Sequence, residues 1–157
     1  MTLPDGFTLR PASTEDLEIL VGHRRAMFLD MGYEDEAVLD SMSRRFREWL
    51  MKQMSAGNYL AWLVMAPDGS IAAGTGLWLM DWPPHMIGTS ERRGNILNVY
   101  TSANFRKRGL ARSLMETVLA WCRENRIDTV ILHASPAGRG LYESMGFSET
   151  NEMRLRF

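Results

Sequence analysis

Cysteine is almost missing from this chain of 157 residues. The single one, Cys122, excludes an intrachain disulfide framework and any metal site built from several thiolates. It falls at a core-facing position of a helical pattern, which marks it as a packed thiol and not a reactive one. Long hydrophobic runs are missing too. No stretch approaches the roughly 18 apolar residues of a membrane span, so no membrane partner is expected. The opening Met1-Thr2-Leu3-Pro4-Asp5 has neither the basic start nor the apolar middle of a signal peptide, so a cytoplasmic protein is the expectation. Charge of either sign is not in excess: 18 Lys and Arg stand against 19 Asp and Glu, for a net charge of −1. That balance gives no general pull toward nucleic acid. The 3 histidines (His23, His85 and His133) show no ligand spacing such as an i, i+4 pair, so no metal is expected. There is no internal repeat and no low-complexity linker. What remains is the composition of an ordinary globular protein, 45% hydrophobic and 24% charged, and a length that predicts one domain over residues 1–157 with a substantial core.

Hydrophobic periodicity orders that domain. Phe7 to Arg10 reads as a short strand ended by Pro11. Ser13 is an expected N-cap, with Asp16 completing a capping box. Leu17, Leu20, Val21, Phe28 and Met31 predict a first helix from about Thr14 to Met31, stopped by Gly32. A second helix spans roughly Glu36 to Ser55, with Leu39, Met42, Phe46, Trp49 and Leu50 on one face. Tyr59 to Met65 and Ile71 to Met80 form a hairpin around the turn Pro67-Asp68-Gly69-Ser70. Gly74 and Gly76 inside the second of these strands signal a bulge or a close backbone approach. A loop from Asp81 to Glu91 leads to a strand over Gly94 to Thr101. The next helix, with Leu110, Leu114, Val118 and Trp121 in one stripe, runs to about Asn125. A strand follows over Thr129 to Ala134, then a short helix from Ala137 to Met145 closed by Gly146, then a last strand at Met153 to Phe157. The order β-α-α-β-β-β-α-β-α-β predicts an α/β protein with a mixed sheet, helices on both faces and a parallel βαβ unit.

The segment that carries chemistry is Arg106-Lys107-Arg108-Gly109-Leu110-Ala111-Arg112, set between a strand and a helix start. The first N–H groups of a helix have no intrahelical partner, and the helix dipole adds positive charge there. Gly109 lets the backbone come close to a ligand, and four cations surround it. These features predict a pyrophosphate site. A nucleotide hydrolase is excluded, because no Gly-Lys-Ser/Thr follows the glycine turn.

Arg106-x-x-Gly109-x-Ala111 resembles the acetyl-CoA motif of the GNAT superfamily of N-acetyltransferases, and Leu141-Tyr142-Glu143-Ser144-Met145-Gly146-Phe147 resembles its second signature. The motifs stand in the right order, one helix and one strand apart, and the element order matches from Thr8 on. The resemblance implies a GNAT-like acyltransferase fold with a splayed central parallel strand pair. It implies acetyl-CoA as co-substrate, with pantetheine along Val99, Tyr100 and Thr101. The pyrophosphate would rest on the N–H groups of Arg108, Gly109, Leu110 and Ala111, with added charge from Arg106, Lys107 and Arg112. It implies that the Val99–Tyr100 amides polarise the carbonyl and that Tyr142 protonates the leaving thiolate. Many relatives carry Pro where this chain has Ser102-Ala103-Asn104, and an Asn where it has Ser135, which would touch the cofactor arm less extensively. Many relatives form dimers, so the resemblance allows a homodimer but specifies no interface.

Glu91 and His85 are the candidate bases, with water-relayed proton loss as the alternative. Phe28, Met31, Tyr33 and Trp82 are candidate walls of an acceptor pocket, Trp82 because a large aromatic in a loop has reason to line one. Trp78 reads as core. His133 reads as a satisfied residue of a buried strand, and His23, beside Arg24 and Arg25, as solvated. The function expected is acetyl transfer to a primary amine of a small molecule or peptide; the competing reading is a non-catalytic acyl-CoA-binding regulatory module of the same fold.

Overall fold

A computed structural model describes residues 3–157. Its strands are β1 (Thr8–Pro11), β2 (Tyr59–Met65), β3 (Ile71–Asp81), β4 (Arg92–Thr101) and β5 (Val130–Leu132). Its helices are α1 (Leu17–Asp30), α2 (Glu36–Ser55), α3 (Leu110–Glu124) and α4 (Pro136–Ser144), with 3-10 turns at Thr14–Asp16 and Ala103–Phe105. The five strands form one sheet in the order β1-β2-β3-β4-β5. Neighbours are antiparallel except β4 and β5, which are parallel and joined through α3. Parallel partners need such a crossover, so the βαβ unit is built where the sequence predicts it.

The period-two alternation of β2 divides the core. Tyr59, Ala61 and Leu63 face α1 and α2, where they meet Leu17, Leu20, Val21, Phe46 and Leu50. Trp62 and Val64 face α3, where they meet Leu110, Leu114, Met115 and Val118. Buried on both faces, the sheet keeps β3 covered almost from end to end. On α3 the residues Leu110, Leu114, Val118 and Cys122 repeat every fourth position and are each less than 3% exposed. Truncating such a leucine to alanine costs about 2–5 kcal/mol. Cys122 is the packed thiol expected, and burial pushes it up to about 11.

Local chemistry sets the ends of the elements. Ser13 accepts from the Glu15 N–H, and Asp16 returns a bond to the Ser13 N–H, completing the capping box. Asp16 is also forked by Arg10 at 2.7 and 2.8 Å, which pulls its carboxyl down to about 2. At the hairpin, the Asp68 carboxylate accepts from the Ser70 N–H at 2.9 Å and Gly69 takes a φ of +85°.

Two sequence expectations fail. No strand forms over Met153–Phe157, where Met153, Leu155 and Phe157 are exposed. Their alternation has the period of a strand, but a strand needs a ladder partner. The strand β5 holds only three residues before the chain turns at Ser135-Pro136, so it offers little edge to pair with. For the same reason His133 lies outside β5, exposed, with its Nε2 2.7 Å from Arg154 Nη2. It is not a buried strand residue.

Candidate active site

The site begins with a defect in the sheet. On β3, Gly76 pairs with Leu97 and Gly74 pairs with Tyr100. Asn98 and Val99 therefore stand together against Thr75, a β-bulge whose first residue, Asn98, has φ +57°. The bulge is pinned from the α1 side. Asn98 Nδ2 donates to the wholly buried Tyr59 hydroxyl at 3.1 Å, and Arg24 Nη1 donates to Asn98 Oδ1 at 2.8 Å. Gly76 makes room for this arrangement, since a Cβ there would lie 1.8 Å from Tyr59 Oη. Both readings of the two strand glycines hold: a bulge forms, and other atoms approach the backbone closely. Burial raises the Tyr59 phenol to about 12, so it stays a hydroxyl at all ordinary pH.

The bulge re-aims the strand. Parallel pairing with β5 covers Gly94–Val130, Asn95–Ile131 and Ile96–Leu132, and no further. Beyond it Val99 sits in the bulge, Tyr100 and Thr101 pair with Gly74 and Ala73 of β3, and the other edge of this segment has no strand partner among the described residues. This is the splayed parallel pair that the family resemblance implies.

The glycine turn closes one end of the gap. Lys107 and Gly109 have φ of +59° and +80°. Alternation with left-handed residues curls successive N–H groups into a concave anion cradle. The first bond of α3 runs from the Ser113 N–H to the Gly109 carbonyl, so Leu110, Ala111 and Arg112 have no intrahelical acceptor. Lys107 and Arg108 are exposed beside the cradle. Arg106 is engaged differently, donating to the Thr101 carbonyl at 3.0 Å and pairing with Asp30 at the end of α1. Arg112 reaches across to Ser144 Oγ at 2.6 Å, tying α3 to α4.

The helix α4 supplies the other wall. Ser135 caps it by accepting from the Gly138 N–H at 3.3 Å, a structural use for that residue. Helical side chains lean toward the N-terminus, and the Tyr142 ring lies back over Gly138, where a Cβ would be 2.9 Å from its Cε2. The hydroxyl is thus carried to the first turn of α4, three residues past β5, where the gap opens. The ring is 9% exposed and meets Phe147 edge-on at 6.1 Å. Among the described residues the hydroxyl has no hydrogen-bond partner, and burial raises its pKa.

Other predicted residues lie elsewhere. Glu91 precedes β4, seven residues before the bulge and so roughly 23 Å away along the strand. His85 sits in the same exposed loop, accepting from the Ile87 N–H. Trp82 lies at this far end too, under the Arg93 guanidinium at 3.7 Å. With Asp81, Pro84, Glu91 and Trp121 it lines an open cleft of about 1310 Å³. Phe28 and Tyr33 do not share that cleft. They meet edge-on at 5.5 Å near the end of α1, with Arg24 over Phe28. His23 is not solvated: it packs 5.0 Å from the Tyr100 ring over the niche left by Gly74, and burial lowers it to about 4. Sequence reading passed over Arg24, Tyr59 and Asn98. The available signal was Asn, a residue that tolerates left-handed backbone, placed in a strand opposite two glycines.

The sequence pattern described as the Acetyltransferase (GNAT) family matches residues 23–147. Among solved structures, the chain is similar to a GCN5-related N-acetyltransferase from Ralstonia eutropha JMP134. The two share 37% identity over 97% of this chain and 99% of that one, with a TM-score of 0.90. It is similar as well to a predicted acetyltransferase from Clostridium acetobutylicum with acetyl-CoA, at 26% identity over 96% of each chain and a TM-score of 0.83. AAC(6')-Iy in complex with a CoA bisubstrate analog shares the fold at 19% identity, over 96% of this chain and 97% of that one, with a TM-score of 0.69. No curated protein matches. The matched pattern runs from α1 through the bulge, the glycine cradle and Tyr142 to Phe147, and on that extent the chain belongs to the GNAT family of acetyltransferases.

Proposed function

We propose that this protein transfers an acetyl group from acetyl-CoA to the nitrogen of a primary amine, residues 1–157 serving as one N-acetyltransferase domain. The observation that carries this reading is the unpaired edge of Val99–Thr101, which leads from the Asn98 bulge to the Gly109 cradle and passes the Tyr142 wall. A pantetheine arm has amides that need backbone partners, and a free strand edge offers them. The N–H groups of Arg108, Gly109, Leu110 and Ala111 take the diphosphate, with charge added by Lys107, Arg108 and Arg112.

Acetyl-CoA supplies an activated acyl carbon and a thiol leaving group. The chain supplies the rest. The Val99–Tyr100 amides at the bulge stabilise charge developing on the carbonyl oxygen. Tyr142, a phenol protonated at neutral pH that burial shifts further up, gives its proton to the departing sulfur. The amine must arrive neutral, and its second proton passes to water in the open gap, since Glu91 and His85 stand at the other end of β4.

Release of free CoA thiol across a panel of primary amines tests the reading, alongside calorimetric titration of acetyl-CoA. Amine-dependent release supports it. Tight acetyl-CoA binding with no release for any amine would instead make the protein an acyl-CoA-binding module.

A further inference from the structure

Arg24 and Arg25 are sequence neighbours with opposite circumstances. Arg25 pairs with Glu36 and, at 3.1 Å, with Asp40. Arg24 is partly buried with its charge desolvated, and among the described residues no carboxylate pairs with it. Its guanidinium lies 4.7 Å over the Phe46 ring and 5.1 Å over Phe28. Its Nη1 is taken by Asn98, and among the described residues its Nε is buried with no partner and its Nη2 makes no hydrogen bond. Acids around the same turn are engaged elsewhere: Asp30 with Arg106, Asp35 in capping α2, Glu36 and Asp40 with Arg25. Glu34 is exposed.

A desolvated charge without a counter-charge is unfavourable, and two aromatic faces and one amide oxygen offset only part of that. The arrangement becomes favourable if a ligand brings the missing anion. Arg24 touches Asn98, the residue before Val99, and so lies beside the point where the acyl group and the attacking amine meet. Phe28 and the half-exposed Tyr33 form an aromatic flank there.

We propose that Arg24 binds an oxyanion on the acceptor, so that the acceptor is an amine that also carries a carboxylate or phosphate group. A planar guanidinium with free donors suits both groups. The inference deepens the acetyl-transfer reading and depends on it.

The test compares matched acceptors. Amino acids are set against their amides, and phosphoethanolamine against ethanolamine, by kcat/KM for thiol release. The proposal predicts a preference of roughly ten- to a hundredfold for the oxyanion-bearing member of at least one pair, the range of one charge-assisted hydrogen bond. Which pair shows it distinguishes carboxylate from phosphate. Arg24→Gln brings the ratio toward one, and Arg24→Lys restores part of it. A role confined to holding the Asn98 bulge would instead lower kcat for both members and leave the ratio intact, which overturns the proposal. So does a wild-type enzyme that acetylates the neutral members equally well, a comparison that needs no variant to fold. Calorimetry with acetyl-CoA separates the two failures. Lack of binding removes the acetyl-transfer reading itself; binding with turnover confined to neutral amines removes only the Arg24 assignment.

Discussion

Gly76→Ala puts the architecture of the bulge at risk through a single methyl group. The new Cβ would lie 1.8 Å from Tyr59 Oη, 2.2 Å from Cζ and 2.7 Å from Cε1. Ordinary contact begins near 3.4 Å, so the hydroxyl must retreat by about 1.6 Å. It has nowhere easy to go: the side chain is 2% exposed and Trp49 meets its ring edge-on at 5.8 Å. Retreat breaks the 3.1 Å bond to Asn98 and leaves two buried polar groups unsatisfied. Overpacking costs about 1–3 kcal/mol, and an orphaned buried hydrogen-bonding group about 1–3 kcal/mol more. A destabilisation of about 4 kcal/mol lowers Tm by roughly 8–16 °C for a chain of this size. Thermal melting by circular dichroism reads this directly. A double-mutant cycle identifies the cause. Tyr59→Leu removes all three clashing atoms, so in that background Gly76→Ala should cost less than about 1 kcal/mol. A Gly76→Ala protein melting within about 3 °C of wild type would refute the claim that glycine is required by Tyr59.

Three further outcomes follow from the same geometry. Gly109→Glu replaces a left-handed glycine with a bulky anion inside the cradle, and should weaken acetyl-CoA binding at least roughly a hundredfold by calorimetry, since both sterics and charge oppose the diphosphate. Tyr142→Phe should lower kcat on the order of 10²-fold with acetyl-CoA affinity little changed; an unaltered kcat would strip the hydroxyl of its role. His23 gives a pH signature. Its folded pKa, about 4, lies below the unfolded value near 6.5. The unfolded chain then binds the extra proton, so the stability tied to neutral His23 is complete above pH 6.5 and drains away as pH falls toward 4, about 3 kcal/mol in all. Chemical denaturation between those pH values should show this slope, and His23→Gln should flatten it. Asp16, held at about 2 by Arg10, adds its own loss only below about pH 3.8, outside that window.

How much of this was legible in the sequence depended on how far each signal had to reach. The second helix and the first hairpin strand were read to the residue, because amphipathic periods and the Asp68-Gly69 turn act over a few neighbours. The left-handed glycine turn and the short helix that carries Tyr142 were legible for a similar reason: each is a local segment marked by a few neighbouring residues. The support of the bulge was not. Arg24 and Asn98 are 74 residues apart and Asn98 and Tyr59 are 39 apart, and only the strand glycines hinted that something large presses on β3. His23 misled because two arginines beside it suggest a wet helix face, while the niche that buries it is made by Gly74 on another element. The pocket residues divided likewise. Trp82 and Glu91 looked close to the chemistry along the chain, but β3 and β4 carry them to the far end of the sheet.

A crystal structure with coenzyme A tests the central claim most directly. The account predicts the diphosphate on the N–H groups of Arg108 to Ala111 and the pantetheine along Val99 to Thr101, its thiol end near the Tyr142 hydroxyl. Coenzyme A bound at another surface, or the Val99–Thr101 edge occupied by protein in its presence, would contradict it.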